Sequence, residues 1–113
     1  MKFSILSSGS RGNACYIETG NAGILVDAGL SGIEIERRLA SVGGSPESLD
    51  AIVVTHEHSD HIKGVGVLAR RYNLPVYANP QTLKRGEKAL GKLPSAISIQ
   101  TGETFEIKHL SLE

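Results

Sequence analysis

The segment that decides the fold is Ala51-Ile52-Val53-Val54-Thr55-His56-Glu57-His58-Ser59-Asp60-His61. Its first four residues form a continuous apolar run, which is typical of a short strand buried on both faces. Its last six residues, called the histidine motif below, contain three histidines and one aspartate. A lone loop histidine is usually only solvated, but four metal-competent side chains directly after a buried strand favour a metal site.

The spacing within the histidine motif suggests how a metal would be bound. In extended backbone, side chains two positions apart point to the same side, so His56 and His58 can converge on one cation. If the next helix begins near Asp60, that residue and His61 turn toward the same crevice and can serve a second cation. Imidazole and carboxylate suit zinc and similar first-row metals. We therefore predict two neighbouring metal sites.

The same segment excludes one class of metalloprotease. A zincin helix needs His-Glu-x-x-His, and although His56-Glu57 begins that pattern, its fifth position is Asp60. A second apolar run, Gly23-Ile24-Leu25-Val26, ends at Asp27. Because open α/β sheets bind ligands beyond the carboxyl ends of their strands, Asp27 is a candidate partner that would fix a histidine tautomer. The alternative is that Asp27 only forms a turn.

The rest of the chain alternates strand-like and helix-like segments, which indicates an α/β fold. Ser31 followed by Glu34 is a capping-box pattern that starts a helix ending at Gly43-Gly44. The other predicted elements are an opening hairpin of 2–6 with 14–18, a helix over 62–72, a strand over 74–78, a basic helix over 80–90 and a closing hairpin of 96–100 with 104–112.

Composition limits the possible functions. The chain has 113 residues, a net charge of zero and 40% apolar residues, which indicates one small folded domain and no global field for a polyanion. Cys15 is the single cysteine, so no internal disulfide can form, and we expect it to be a small buried side chain. No run approaches the roughly 20 apolar residues of a membrane span. We expect a cytoplasmic protein without membrane contact.

The histidine motif resembles the His-x-His-x-Asp-His signature of the metallo-β-lactamase superfamily, and Asp27 in Leu25-Val26-Asp27-Ala28-Gly29 matches the aspartate motif that precedes it. Three stretches resemble the YycJ (WalJ) group of bacterial hydrolases more closely. They are Ser8-Gly9-Ser10-Arg11-Gly12-Asn13, Asp27-Ala28-Gly29-Leu30-Ser31 and the segment from His56 to Arg70.

This resemblance implies an αββα sandwich, of which residues 1–113 would form the amino-terminal half as one mixed sheet with flanking helices. It also implies a dinuclear site for zinc or manganese, with His56 and His58 on the first metal and Asp60 and His61 on the second. Asp60 would in addition orient the water that the metals activate. For the YycJ-like group, the implied activity is that of a DNA exonuclease, which makes DNA the expected substrate.

The match also implies that ligands are missing. The family's remaining ligands lie in the second half of its fold, and His109, the one histidine after the motif, is expected to be an ordinary strand residue. The metals would therefore be incompletely liganded, because catalytic zinc usually has three protein ligands. We expect this chain alone to bind metal weakly, to be inactive, and to self-associate through its uncovered sheet face.

Other interpretations remain open. A glyoxalase-II-like thioesterase, or another small-molecule hydrolase, shares the histidine motif, and the chain could also be a noncatalytic module. The loop over 7–13 could present backbone amides and Arg11 to a phosphate, or be a plain hairpin loop. The basic helix with Lys84, Arg85, Lys88 and Lys92 could follow a DNA backbone, or be a solvated face.

Overall fold

The two apolar runs form neighbouring parallel strands within one sheet. A computed structural model describes residues 2–8, 12–19, 22–55, 62–99, 105–107 and 110–112. Gly23–Val26 forms β3 and Ala51–Val53 forms β4, with Leu25 opposite Ile52. Both of these side chains are fully buried, which stabilises the fold by about 1.5–3 kcal/mol each. The prediction of two buried strands is confirmed.

These strands belong to a six-stranded mixed sheet with the order β1-β2-β3-β4-β5-β6. The first three strands pair antiparallel, and β3 to β6 pair parallel. The parallel strands therefore end at the same edge of the sheet, called the carboxyl edge below. The remaining strands of this sheet are β1 (Lys2–Ser7), β2 (Ala14–Glu18), β5 (Pro75–Ala78) and β6 (Ser95–Ser98).

The helices follow local sequence signals. The Ser31 hydroxyl accepts a hydrogen bond of 3.3 Å from the Glu34 amide, which confirms the predicted helix start. In the described part of the chain, no helix is long and apolar enough to cross a membrane. The helices are α1 (Gly32–Ser41), α2 (Val65–Tyr72), α3 (Pro80–Arg85) and α4 (Glu87–Leu90), with a short 3₁₀ helix over Pro46–Ser48.

The main hydrophobic core lies between the helices and one face of the sheet. Its helical members include Leu39 and Leu68, which are completely buried. A smaller apolar cluster on the opposite face contains Ile17 and Cys15, which pair across strands with Phe3 and Ile5. Residues paired across two strands share a face. Phe3 and Ile5 therefore extend this second face, where they are 65% and 76% exposed.

The helix predicted over 62–72 begins at Val65, and two other predicted elements differ more strongly from the structure. The closing hairpin is wrong, because Ser95–Ser98 joins the main sheet as β6, parallel to β5. The hairpin is formed instead by β7 (Phe105–Ile107) and β8 (Leu110–Leu112), which pair antiparallel. The single basic helix over 80–90 is interrupted at Gly86, which ends α3 and precedes α4. Gly86 breaks the run because glycine is a poor helix former.

Candidate functional site

The candidate site begins where β3 and β4 end at the carboxyl edge. Asp27 follows β3 directly, as predicted, and its amide donates a 2.8 Å hydrogen bond to the Val53 carbonyl of β4. Val54 and Thr55 then lead into the histidine motif. His56, His58, Asp60 and His61 lie outside the described residues, as do Arg11 and His109. Their predicted roles stay predictions, and the described residues show what flanks the motif.

Asp27 holds the residue that immediately precedes the motif. Its carboxylate accepts hydrogen bonds from the Thr55 amide at 2.8 Å and from the Thr55 hydroxyl at 2.6 Å. Asp27 is only 6% exposed, whereas Thr55 is exposed. Bonds to an ionised acceptor are stronger than neutral ones, so this pair fixes where the chain leaves β4. The contact between Asp27 and a motif histidine stays a prediction.

The backbone at Asp27 is left-handed, with a φ of 62°. Most side chains avoid this region, but aspartate and asparagine tolerate it because their short polar groups can hydrogen-bond locally. The left-handed residue turns the chain sharply at the end of β3, and its carboxylate meets the chain that leaves β4. Asp27 therefore forms this turn, as one of the two interpretations predicted, and also holds Thr55.

The same loop contacts the chain on the other side of the motif. The Gly64 amide donates a 2.6 Å hydrogen bond to the Ala28 carbonyl. A Cβ atom added at Gly64 would overlap the carbonyl oxygen of Leu30, so only glycine fits this close approach. Gly64 therefore does more than interrupt the helical pattern, since it is the N-cap of α2. The loop over 27–30 thus holds both flanks of the histidine motif.

The loop over 7–13 contacts the loop over 27–30. The Gly29 amide donates a 2.9 Å hydrogen bond to the Asn13 carbonyl, and the Ser7 hydroxyl donates one of 2.9 Å to the Gly12 carbonyl. A Cβ atom at Gly12 would lie 2.9 Å from the Gly29 carbonyl oxygen. The described ends of the loop over 7–13 therefore pack against the loop that holds the motif. Phosphate binding by its central residues stays a prediction.

Cys15 lies next to this site on β2, opposite Val26. Partial burial raises the pKa of the Cys15 thiol, and the negative charge of Asp27 raises it further. The thiol is therefore protonated at neutral pH and is a poor nucleophile or metal ligand there. The expectation of a buried side chain is only partly met, because Cys15 is half-buried on the second face of the sheet.

No group of three or more histidine, cysteine, aspartate or glutamate side chains that could hold a metal occurs within the described ranges. Asp27 is already engaged by Thr55, and the described residues contribute scaffolding instead of a ligand cluster. The sequence alone did not reveal the Asp27–Thr55 and Ala28–Gly64 contacts, although the glycine at position 64 was a signal for the second.

Comparison with known proteins supplies independent information. A family model described as the Metallo-beta-lactamase superfamily matches residues 8–107. Exodeoxyribonuclease WalJ of Streptococcus pneumoniae is 57% identical over 97 residues, a match that covers 84% of this chain and 36% of that protein. Exodeoxyribonuclease YycJ of Bacillus anthracis is 50% identical over 95 residues, with the same coverage of 84% and 36%. The chain thus spans about a third of the length of these relatives.

Solved structures agree on the fold. The Rm3 metallo-beta-lactamase superposes with a TM-score of 0.78 at 24% identity, over 96% of this chain and 46% of that one. The subclass B3 enzyme MEM-A1 from a soil metagenome library gives a TM-score of 0.73 at 26% identity, over 96% and 47%. These matches confirm the predicted fold, one mixed sheet with flanking helices from the amino-terminal half of an αββα sandwich.

Proposed function

The chain belongs to the metallo-beta-lactamase superfamily, and on that premise we propose that it is part of a metal-dependent hydrolase that cleaves DNA phosphodiesters as an exonuclease. The observation that carries this proposal is the 57% and 50% identity to two proteins named exodeoxyribonucleases. The likeness to β-lactamases is far weaker in sequence, at 24% and 26%. Since the two exodeoxyribonucleases are much longer than this chain, residues 1–113 would supply the amino-terminal part of the domain.

Membership of this superfamily implies binding of divalent metal. We propose that His56 and His58 hold one cation and that Asp60 and His61 hold a second, with zinc or manganese in both positions. When bound, such cations lower the pKa of water and stabilise the oxyanion that forms during hydrolysis. With two ligands from this chain for each cation, the remaining ligands would come from the part of the fold that lies beyond these residues.

The described residues prepare the site by restricting the motif. Asp27 fixes Thr55 at the start of the motif, and Ala28 fixes Gly64 three residues after its end. Restraint at both flanks lowers the entropy that the motif loses when it closes around cations, which favours binding. Asp60 would accept a hydrogen bond from the attacking water and so orient it toward the phosphorus atom.

The experiment measures nucleotide release from 5′-labelled duplex DNA by the full-length protein, with manganese or zinc and with a chelator. We expect release only with metal, and a loss of at least about 100-fold in His58→Ala and in Asp60→Asn. Ser41→Ala, at the far end of α1, is the control variant and should keep wild-type activity. Each variant is checked by circular dichroism for a wild-type spectrum, so that unfolding is not mistaken for lost chemistry.

Four results would contradict the proposal. Nucleotide release without metal would show that the cations are not needed. Full activity in Asp60→Asn would show that the motif aspartate is not needed. Hydrolysis of a glutathione thioester, with no release from DNA, would instead support the glyoxalase-II-like alternative. A protein that hydrolyses neither substrate but keeps a binding partner after His58→Ala would be a noncatalytic module.

A further inference from the structure

The zero net charge of this chain hides a strong separation of charge along the sequence. Residues 63–92 contain seven basic residues and one acidic residue, Glu87, which gives this segment a net charge of +6. The other 83 residues contain five basic and eleven acidic residues and carry the opposite charge of −6. A protein that is neutral overall can therefore still attract a polyanion to one part of its surface.

Four of these basic residues lie together on the two short helices between β5 and β6. Lys84 and Arg85 form the last turn of α3, Lys88 lies on α4, and Lys92 follows α4. All four are exposed, and we call them the α3–α4 basic surface. Among the residues that the structure describes, no carboxylate forms an ion pair with Lys84, Lys88 or Lys92. Glu87 is the one acidic residue of these helices, so the surface stays positive.

The topology places the start of α3, the helix that carries Lys84 and Arg85, one strand away from the candidate site. β5 is the neighbour of β4 in the sheet and runs parallel to it. The Val54 amide, just before the motif, donates a 2.8 Å hydrogen bond to the Tyr77 carbonyl of β5. Asn79 then caps α3, so this helix leaves the same carboxyl edge one strand away. Its six residues extend about 9 Å at 1.5 Å per residue.

We propose that the α3–α4 basic surface binds the phosphate backbone of the DNA strand that enters or leaves the site. This inference rests on the proposed function, and it names the surface that would carry the substrate. Lysine ammonium groups attract phosphates as mobile point charges, so they bind a backbone without reading its sequence. An exonuclease needs binding that does not depend on sequence, because the bases of the strand that it holds change at every step.

The experiment measures how the affinity for DNA depends on salt. The probe is a fluorescein-labelled single-stranded 20-mer. Its anisotropy is measured as the full-length protein is added, with calcium as the divalent cation, between 50 and 300 mM KCl. The test variant is Lys84→Gln/Lys88→Gln/Lys92→Gln. Each phosphate contact with a single strand adds about 0.7 to the slope of log K against log salt. The variant should therefore have a slope shallower by about 2, and bind about 100-fold more weakly at 100 mM salt.

Two matched controls separate charge at this surface from other effects. Lys84→Arg/Lys88→Arg/Lys92→Arg keeps the charge and should keep both affinity and slope. Lys2→Gln/Arg37→Gln removes two exposed charges from β1 and α1, away from the surface, and should lower the slope by less than 0.5. Far-ultraviolet circular dichroism of each variant shows whether it keeps the wild-type fold.

The outcomes for this surface and for the proposed function are distinct. If the wild type releases nucleotides with manganese while the glutamine variant keeps the wild-type slope, the surface is refuted and the nuclease stands. If the glutamine variant shows the expected slope difference from the wild type, but the wild type releases no nucleotides with manganese or zinc, the nuclease proposal is refuted and the proposal for the surface stands. Equal effects in the off-surface control would also refute the surface, since net charge alone would then explain binding.

Discussion

Replacing Asp27 tests how firmly the chain is held at the start of the histidine motif. The buried carboxylate accepts two hydrogen bonds from Thr55, at 2.8 and 2.6 Å. A hydrogen bond to a charged group contributes about 1.5–3 kcal/mol, and because Thr55 is exposed we use the lower end for each bond. Asp27→Ala should therefore lower the free energy of unfolding by about 3 kcal/mol through these bonds alone.

The left-handed backbone at Asp27 adds a second contribution that can be measured separately. An alanine at a φ of 62° costs roughly 1 kcal/mol, whereas glycine adopts this conformation without that cost. Asp27→Ala should thus lose about 4 kcal/mol and Asp27→Gly about 3 kcal/mol. Thr55→Val removes the hydroxyl bond but keeps the amide, so its loss should be about 1.5 kcal/mol.

The assay is equilibrium unfolding of the full-length protein in urea, followed by far-ultraviolet circular dichroism and extrapolated to water. In the Thr55→Val background, Asp27→Ala should cost about 1.5 kcal/mol less than in the wild type, because the bond from the Thr55 hydroxyl is already absent. A loss below about 0.5 kcal/mol in Asp27→Ala would refute the reasoning. Equal losses in both backgrounds would show that the two side chains do not interact.

The remaining predictions concern the other flank of the motif, the thiol and the exposed sheet face. Gly64→Ala should lower the free energy of unfolding by about 1–3 kcal/mol, because the added Cβ would overlap a backbone carbonyl of the loop after β3. Burial and then the charge of Asp27 raise the pKa of Cys15. The rate of its reaction with a disulfide reagent should therefore rise at a higher pH than the rate for a free cysteine does. Asp27→Asn should move that pH–rate profile to lower pH. Phe3→Ser/Ile5→Thr should reduce self-association of the 113-residue chain in size-exclusion chromatography with light scattering, since these side chains are 65% and 76% exposed.

Each of these predictions has a control or a contradicting result. Gly23→Ala places a Cβ 2.9 Å from the Ser48 carbonyl oxygen at the opposite edge of the sheet, so it should destabilise the fold without changing metal affinity. Gly64→Ala should change both. A Cys15 profile like that of a free cysteine would contradict the effect of burial. A wild-type chain that is monomeric and unfolds cooperatively would contradict self-association.

The sequence predicted the two central strands and the first helix, which lead into the site. The apolar runs 23–26 and 51–54 located both central strands, because continuous apolar segments of this length are typical of strands buried on both faces. Ser31 located the start of α1 through its cap. These signals are local, so a single sequence carries them. The family and the fold then followed from the histidine motif, which is specific in spacing.

Contacts between distant segments could not be predicted in this way. Asp27 was located at a strand end, but its bonds to Thr55 join residues 28 positions apart. The close approach of Gly64 to Leu30 likewise depends on how α2 packs after the motif. Ser95–Ser98 suited a hairpin as well as the parallel strand that it forms, because strand propensity does not specify a partner. The local sequence pattern predicted that this segment is a strand, and tertiary packing decided which strand it pairs with.

The central claim is that the histidine motif binds divalent cations at the carboxyl edge, and zinc binding tests it most directly. Equilibrium dialysis compares the wild-type chain with His56→Ala/His58→Ala and with the distant control Ser41→Ala. We expect weak zinc binding by the wild type and by Ser41→Ala, and its loss in the double variant. Equal zinc binding by all three proteins would show that these histidines do not bind the cation.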